Sequence, residues 1–131
     1  MERNTERPES SDSAAKFVSD VVLPAFRKIR EKLEKPGRMI AIEYSGGTAS
    51  IIVVRRGKLE LSYRIFAESG DPRSSPMVET KFVDIASGRE VKSQPESLSR
   101  SSELLILGDA REEDITESFN EHYRAVTGGR Q

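Results

Sequence analysis

The chain has 131 residues, 35% hydrophobic and 33% charged, so one modest core with surplus polar chain outside it is expected. Its 21 basic and 22 acidic side chains give a formal net charge of −1, which excludes a whole-molecule field steering it to nucleic acid or an anionic membrane. The absence of cysteine excludes disulfides, thiolate nucleophiles and Cys-ligated metal sites, and fits a reducing compartment.

From Met1 to about Asp12 no large apolar residue follows the initiator, so this stretch is expected to be a disordered arm over 1–12, ahead of one α+β domain over 13–131. It also lacks the apolar run of a secretory signal, and the longest apolar runs, Ile51 to Val54 and Leu104 to Leu107, are too short to span a bilayer. A cytoplasmic protein with no membrane partner is the expectation.

From about Ser13 the pattern turns helical, with Phe17, Val18, Val21, Val22, Ala25, Phe26, Ile29 and Leu33 at spacings of three and four. Pro24 interrupts this stripe, which predicts a kink or a fresh helix start at Leu23-Pro24. Arg27, Lys28, Arg30, Lys32 and Lys35 then load the helix end with positive charge before Pro36-Gly37 stops it.

The period next changes to two. Gly46-Gly47 signals a two-residue hairpin with both central residues at positive φ. Pairing Ser45 with Thr48 sets Tyr44 opposite Ala49, Ile42 opposite Ile51 and Ile40 opposite Val53 on one face. The other face then holds Met39, Ala41, Ile52 and Val54. A three-residue loop Arg55-Arg56-Gly57, with Gly57 left-handed, brings Leu59, Leu61, Tyr63 and Ile65 beside Val53 and Ile51. That larger apolar face is expected to receive the first helix.

The segment SGDPRSSP after Glu68 reads as a mobile loop, MVETKFVDIA as a fourth strand and REVKSQ as a short charged edge strand after a Ser87-Gly88 turn. ELLILGD is ambiguous between strand and helical turn. Asp109 to Val126 reads as a closing helix, with Glu112, Glu113 and Asp114 in its first turn and Ile115, Phe119, His122 and Val126 on one stripe. The fold class is therefore α+β: a long N-terminal helix on an antiparallel meander of four to five strands, with a C-terminal helix.

Three features bear on chemistry. His122, the single histidine, sits on an apolar stripe with no strained nucleophile turn in the sequence, and reads as structural rather than catalytic. The acidic run lacks the spacing of a calcium loop and reads as helix-start electrostatics, so no metal and no cofactor is expected. Arg55, Arg56 and Lys58 cluster at a hairpin tip, a candidate contact for an anion or nucleic acid.

The second sheet face carries most of the functional expectation. Met39, Ala41, Ile52, Val54 and Phe66 make an apolar patch that must be covered, either by the C-terminal helix in a three-layer monomer or by another chain. The function expected is a non-catalytic protein-binding or adaptor module, with homodimerisation through that face as one form. The alternative is a nucleic-acid-associated protein using the basic tip, ahead of a small enzyme.

Overall fold

Pro24 shapes the first helical segment. The computed structural model describes residues 9–128, with side chains from Ser13 onward, so the expected arm lies outside the described residues up to residue 8. Residues 9–12 instead open α1, Glu9–Phe17, which a π-helical turn at Val18–Val22 joins to α2, Leu23–Leu33. A proline nitrogen carries no hydrogen, and its ring crowds the carbonyl four residues back. The wider turn relieves this: the Leu23 N–H bonds to the Val18 carbonyl, five residues earlier. Pro24 then lies in the first turn of α2, where no donor is required. The expected interruption is thus a π-bulge, and the apolar stripe runs through it, with Phe17, Val18, Val22, Ala25, Phe26 and Ile29 all buried.

Five strands follow in meander order. β1 (Arg38–Ser45), β2 (Thr48–Arg55), β3 (Lys58–Phe66), β4 (Met77–Val83) and β5 (Glu90–Lys92) are each antiparallel to the next, and β6 (Glu96–Ser97) continues along β4 beyond β5. Among the described residues this makes a six-stranded sheet, slightly more than the four to five expected. The β1–β2 register is the one anticipated, with Ser45 opposite Thr48 and Ile42 opposite Ile51. Its turn differs: Gly46 alone has a left-handed φ, +57°. Gly47 is needed for space instead, since a Cβ there would lie 2.9 Å from the Ala14 Cβ of α1.

The β2–β3 connection is also corrected. Arg55 pairs with Lys58 around a two-residue turn in which Arg56 (φ 53°) and Gly57 (φ 80°) are both left-handed, and the register then slips between Val53 and Val54. Glu60 is the extra residue. Leu61, Tyr63 and Ile65 join Val53, Ile51 and Ala49 as expected, but Leu59 is opposite Val54. The bulge turns Glu60 inward, where its carboxylate accepts a 2.7 Å hydrogen bond from the Tyr123 hydroxyl and lies 3.4 Å from Arg38 Nε.

The C-terminal part closes over the same face as the first helices. A small hairpin of β7 (Ser99–Arg100) and β8 (Glu103–Leu104) precedes α3, Glu112–Thr127. The ambiguous ELLILGD segment is strand only at Glu103–Leu104; the rest is a loop with Leu105 and Leu107 buried. The Leu107 and Gly108 N–H groups bond to the Ser74 and Pro72 carbonyls at 2.8 and 3.0 Å, so the SGDPRSSP loop is pinned. α3 packs against α2, the π turn and β3. Its buried stripe is Ile115, Phe119, Tyr123 and Thr127, one position round from the expected His122 and Val126, which are half-buried.

Tyr63 is the centre of this layer. Its ring meets Phe26 of α2 edge-on at 6.0 Å and Phe119 of α3 at 5.7 Å, and Phe119 stacks on Tyr123 at 5.5 Å. Each such buried ring contributes about 1.5–3 kcal/mol relative to exposure. The Tyr63 hydroxyl donates to Ser118 Oγ at 2.8 Å, and burial pushes its ionisation well above the usual tyrosine range.

Candidate interaction site on the open sheet face

Both helical layers lie on one side, so of the two covers considered for the second face, the C-terminal helix and another chain, the C-terminal helix is overturned. The apolar spacing of α3 matched either side of a hairpin apolar on both faces. The larger set of Ala49, Ile51, Val53, Leu61, Tyr63 and Ile65 buries against both helices, each residue at 0% exposure. Among the described residues no helix packs on the opposite side, and the fold is a two-layer sandwich.

The residues expected on that side are found there in two groups. Met39 pairs with Val54 and Ala41 with Ile52, so these four are contiguous, and the bulge adds Leu59 opposite Val54. Met39 is 74% exposed, Ala41 is exposed, and Ile52 and Val54 are half-buried. Phe66 is not part of this patch. It lies in a row with Thr48 and Met77, separated from Ile52 by the row Ser50, Arg64 and Glu79. Arg64, ion-paired to Glu79, places its guanidinium 4.5 Å from the centre of the Phe66 ring and caps it. Leu59 was missed because its place depends on a register slip that alternation does not announce, and the Arg64 cap because the Glu79 that holds Arg64 is set opposite it only by the β3–β4 register.

The basic hairpin tip is brought together as expected. Arg55, Arg56 and Lys58 line an open hollow of about 430 Å³ whose apolar part comes from Leu59, Val83, Ile85 and Val126. Arg55 is partly committed, at 3.7 Å from the buried Glu60 carboxylate. The Tyr123 hydroxyl at that carboxylate has its ionisation pushed up to about 12 by burial and by the negative charge of Glu60.

The other candidate residues have structural partners. His122 Nδ1 is 2.8 Å from the Ser118 carbonyl, its Nε2 is 3.0 Å from Glu96 Oε2, and its ring is edge-on to Tyr63 at 5.7 Å. Asp114 is buried and accepts from Arg100 Nε and Nη2 at 2.8 and 2.7 Å and from the Arg111 N–H at 2.9 Å. Hydrogen bonds from Arg100, helped by the Arg111 N–H and opposed by burial, hold its carboxyl below the usual carboxylate range. Glu112 pairs with Lys28 at 2.8 Å, joining α3 to α2. Among the described residues no group of three or more His, Asp or Glu is placed to hold a metal ion, and no helix is long and apolar enough to cross a membrane. No family model, curated protein or solved structure matches this chain.

Proposed function

We propose that this chain is a non-catalytic protein-binding or adaptor module that receives its partner on the open sheet face. One observation carries the reading: α2 and α3 share one side of the sheet, while Met39, Ala41, Ile52 and Val54 form a contiguous apolar patch on the other. A flat apolar surface rimmed by Glu43, Ser50 and Ser62 has the make-up of a protein contact, an apolar centre with a polar edge. A sheet-to-sheet homodimer is one form of this reading. A cytoplasmic setting belongs to it, supported by the chain's lack of cysteine.

The test places a photo-crosslinking residue at position 39 in the native cell, with a second at exposed Lys32 of α2 as control. A discrete adduct from position 39, absent from position 32 and lost in folded Val54→Glu, is the expected result. Equal labelling from both positions, or an adduct indifferent to Val54→Glu, sinks the reading.

The second reading is a nucleic-acid-associated protein using the basic tip. It is favoured by the convergence of Arg55, Arg56 and Lys58 on one hollow. Binding to a mixed-sequence oligonucleotide should then weaken steeply with salt, with a shallower slope in Arg56→Gln/Lys58→Gln. A flat salt response eliminates it.

A further inference from the structure

The two edges of the sheet are built differently. One edge is formed by β5 and β6, which run along β4 for three and two residues and are broken between them. At the break the Thr80 N–H bonds to Ser93 Oγ at 2.9 Å rather than to a strand carbonyl. Glu90, Lys92, Pro95 and Glu96 are all exposed along it. Short length, charge, proline and irregularity are the devices by which sheet edges avoid pairing with another chain.

The β1 edge has less of this protection, keeping two charged residues, Arg38 and Glu43. β1 is eight residues long, is paired without a bulge to β2, and contains no proline or lysine. Its Arg38 is turned inward, its side chain 11% exposed, with Nη1 donating to the Leu33 carbonyl at 3.2 Å. Glu43 is left as the one exposed charged residue on the strand.

The register states which peptide groups face outward. Ser45 and Thr48 flank a two-residue turn and form a hydrogen-bonded pair, so Glu43, Ala41 and Met39 also bond to β2. The N–H and C=O groups of Ile40, Ile42 and Tyr44 therefore point away from the sheet. Their side chains lie on the helix-covered face but at its margin, Ile40 and Ile42 half-buried and Tyr44 61% exposed.

We infer that β1 is the contact edge of a homodimer in which two copies pair antiparallel about a twofold axis through Ile42, joining their sheets into one. The strand is self-complementary about that residue. Ile42 faces its own copy, and Ile40 faces Tyr44 of the second chain twice over, an aromatic-to-β-branched pair of the favourable kind. Glu43 falls opposite Ala41, so no like charges meet. An axis through Glu43 would set the two carboxylates against each other, and one through Ala41 would set Met39 against Glu43. The Ile42 axis also forms about six main-chain hydrogen bonds from groups that β2 leaves unpaired. The partner is thus a second copy of this chain, and the contact is isologous. This contact uses the edge and leaves the open face uncovered, so it stands or falls separately from the binding role of that face.

The chain's lack of cysteine permits a register-specific test. In Ile42→Cys the two new thiols sit opposite each other at a Cα separation of about 5.5 Å, within disulfide range. Mild oxidation should convert most of Ile42→Cys to a covalent dimer, while Tyr44→Cys, whose two copies lie several residues apart, lags at least tenfold. Light scattering should give twice the chain mass for the wild type and for Val54→Glu. Tyr44→Pro removes an outward N–H and leaves the β1–β2 ladder, and should be a folded monomer. A wild-type monomer at high micromolar concentration overturns the inference. So do equal oxidation rates at positions 42 and 44, and a dimer lost in Val54→Glu but kept in Tyr44→Pro, which would assign dimerisation to the open face. If Tyr44→Pro unfolds, the two oxidation rates still decide.

Discussion

Ile51 and Ile52 are adjacent in β2 and of one residue type, yet they belong to different surfaces. Ile51 is fully buried beneath the helices, whereas Ile52 is half-buried on the side that no helix reaches among the described residues. The covered face is a stack of rings and branched side chains centred on Tyr63. The open face has a small apolar patch at the Met39 end and an ion-paired arginine over Phe66 at the other. Exposed apolar area on a sheet is ordinary when scattered, and it points to contact when contiguous.

The largest expected effect breaks this comparison if it is misdrawn. Ile51→Ala removes methyl groups from a closed core and should destabilise the protein by about 2–5 kcal/mol. Ile52→Ala should cost about 1 kcal/mol or less, because solvent already reaches that side chain. Urea unfolding of both variants at a concentration where the protein is monomeric gives the two values directly. Equal costs would mean that Ile52 is as enclosed as Ile51, and the two-layer description would be wrong.

How much of this was legible in the sequence varies with the range of the cause. The β1–β2 pairing follows from Gly46-Gly47 and the alternation beside it, both local, and its register is observed residue for residue. The Pro24 interruption was readable for the same reason, although not its form as a π turn. The bulge at Glu60 was not readable, because the Tyr123 hydroxyl that satisfies the inward carboxylate is 63 residues away. The side taken by α3 was not readable either. Both faces of the hairpin are apolar, and Phe119 settles the matter only by meeting a Tyr63 already in contact with Phe26. Of the candidate site, the four contiguous residues were identified from alternation, while the capping of Phe66 by Arg64 required the β3–β4 register.

The same comparison applies to charges, with smaller effects. Asp114 on the helix side is 4% exposed and held by two hydrogen bonds from Arg100 and one from the Arg111 N–H. Glu79 on the open side has an 18% exposed side chain, and its partner Arg64 is 42% exposed. Asp114→Asn leaves Arg100 and the helix start without a full acceptor and should cost about 1–3 kcal/mol. Glu79→Gln should cost about 0–1 kcal/mol, the range of surface pairs. The acid limb of stability sharpens the contrast. The carboxyl of Asp114 is depressed in the folded state, so its contribution is complete above the unfolded aspartate value of about 3.9. It is lost as pH falls through the lower folded value, because the unfolded chain takes up the proton first. Urea midpoints measured between pH 6 and pH 2 should therefore fall less steeply in Asp114→Asn than in wild type. An unchanged slope would show that the Arg100 pair holds no more of the fold together than a surface contact does.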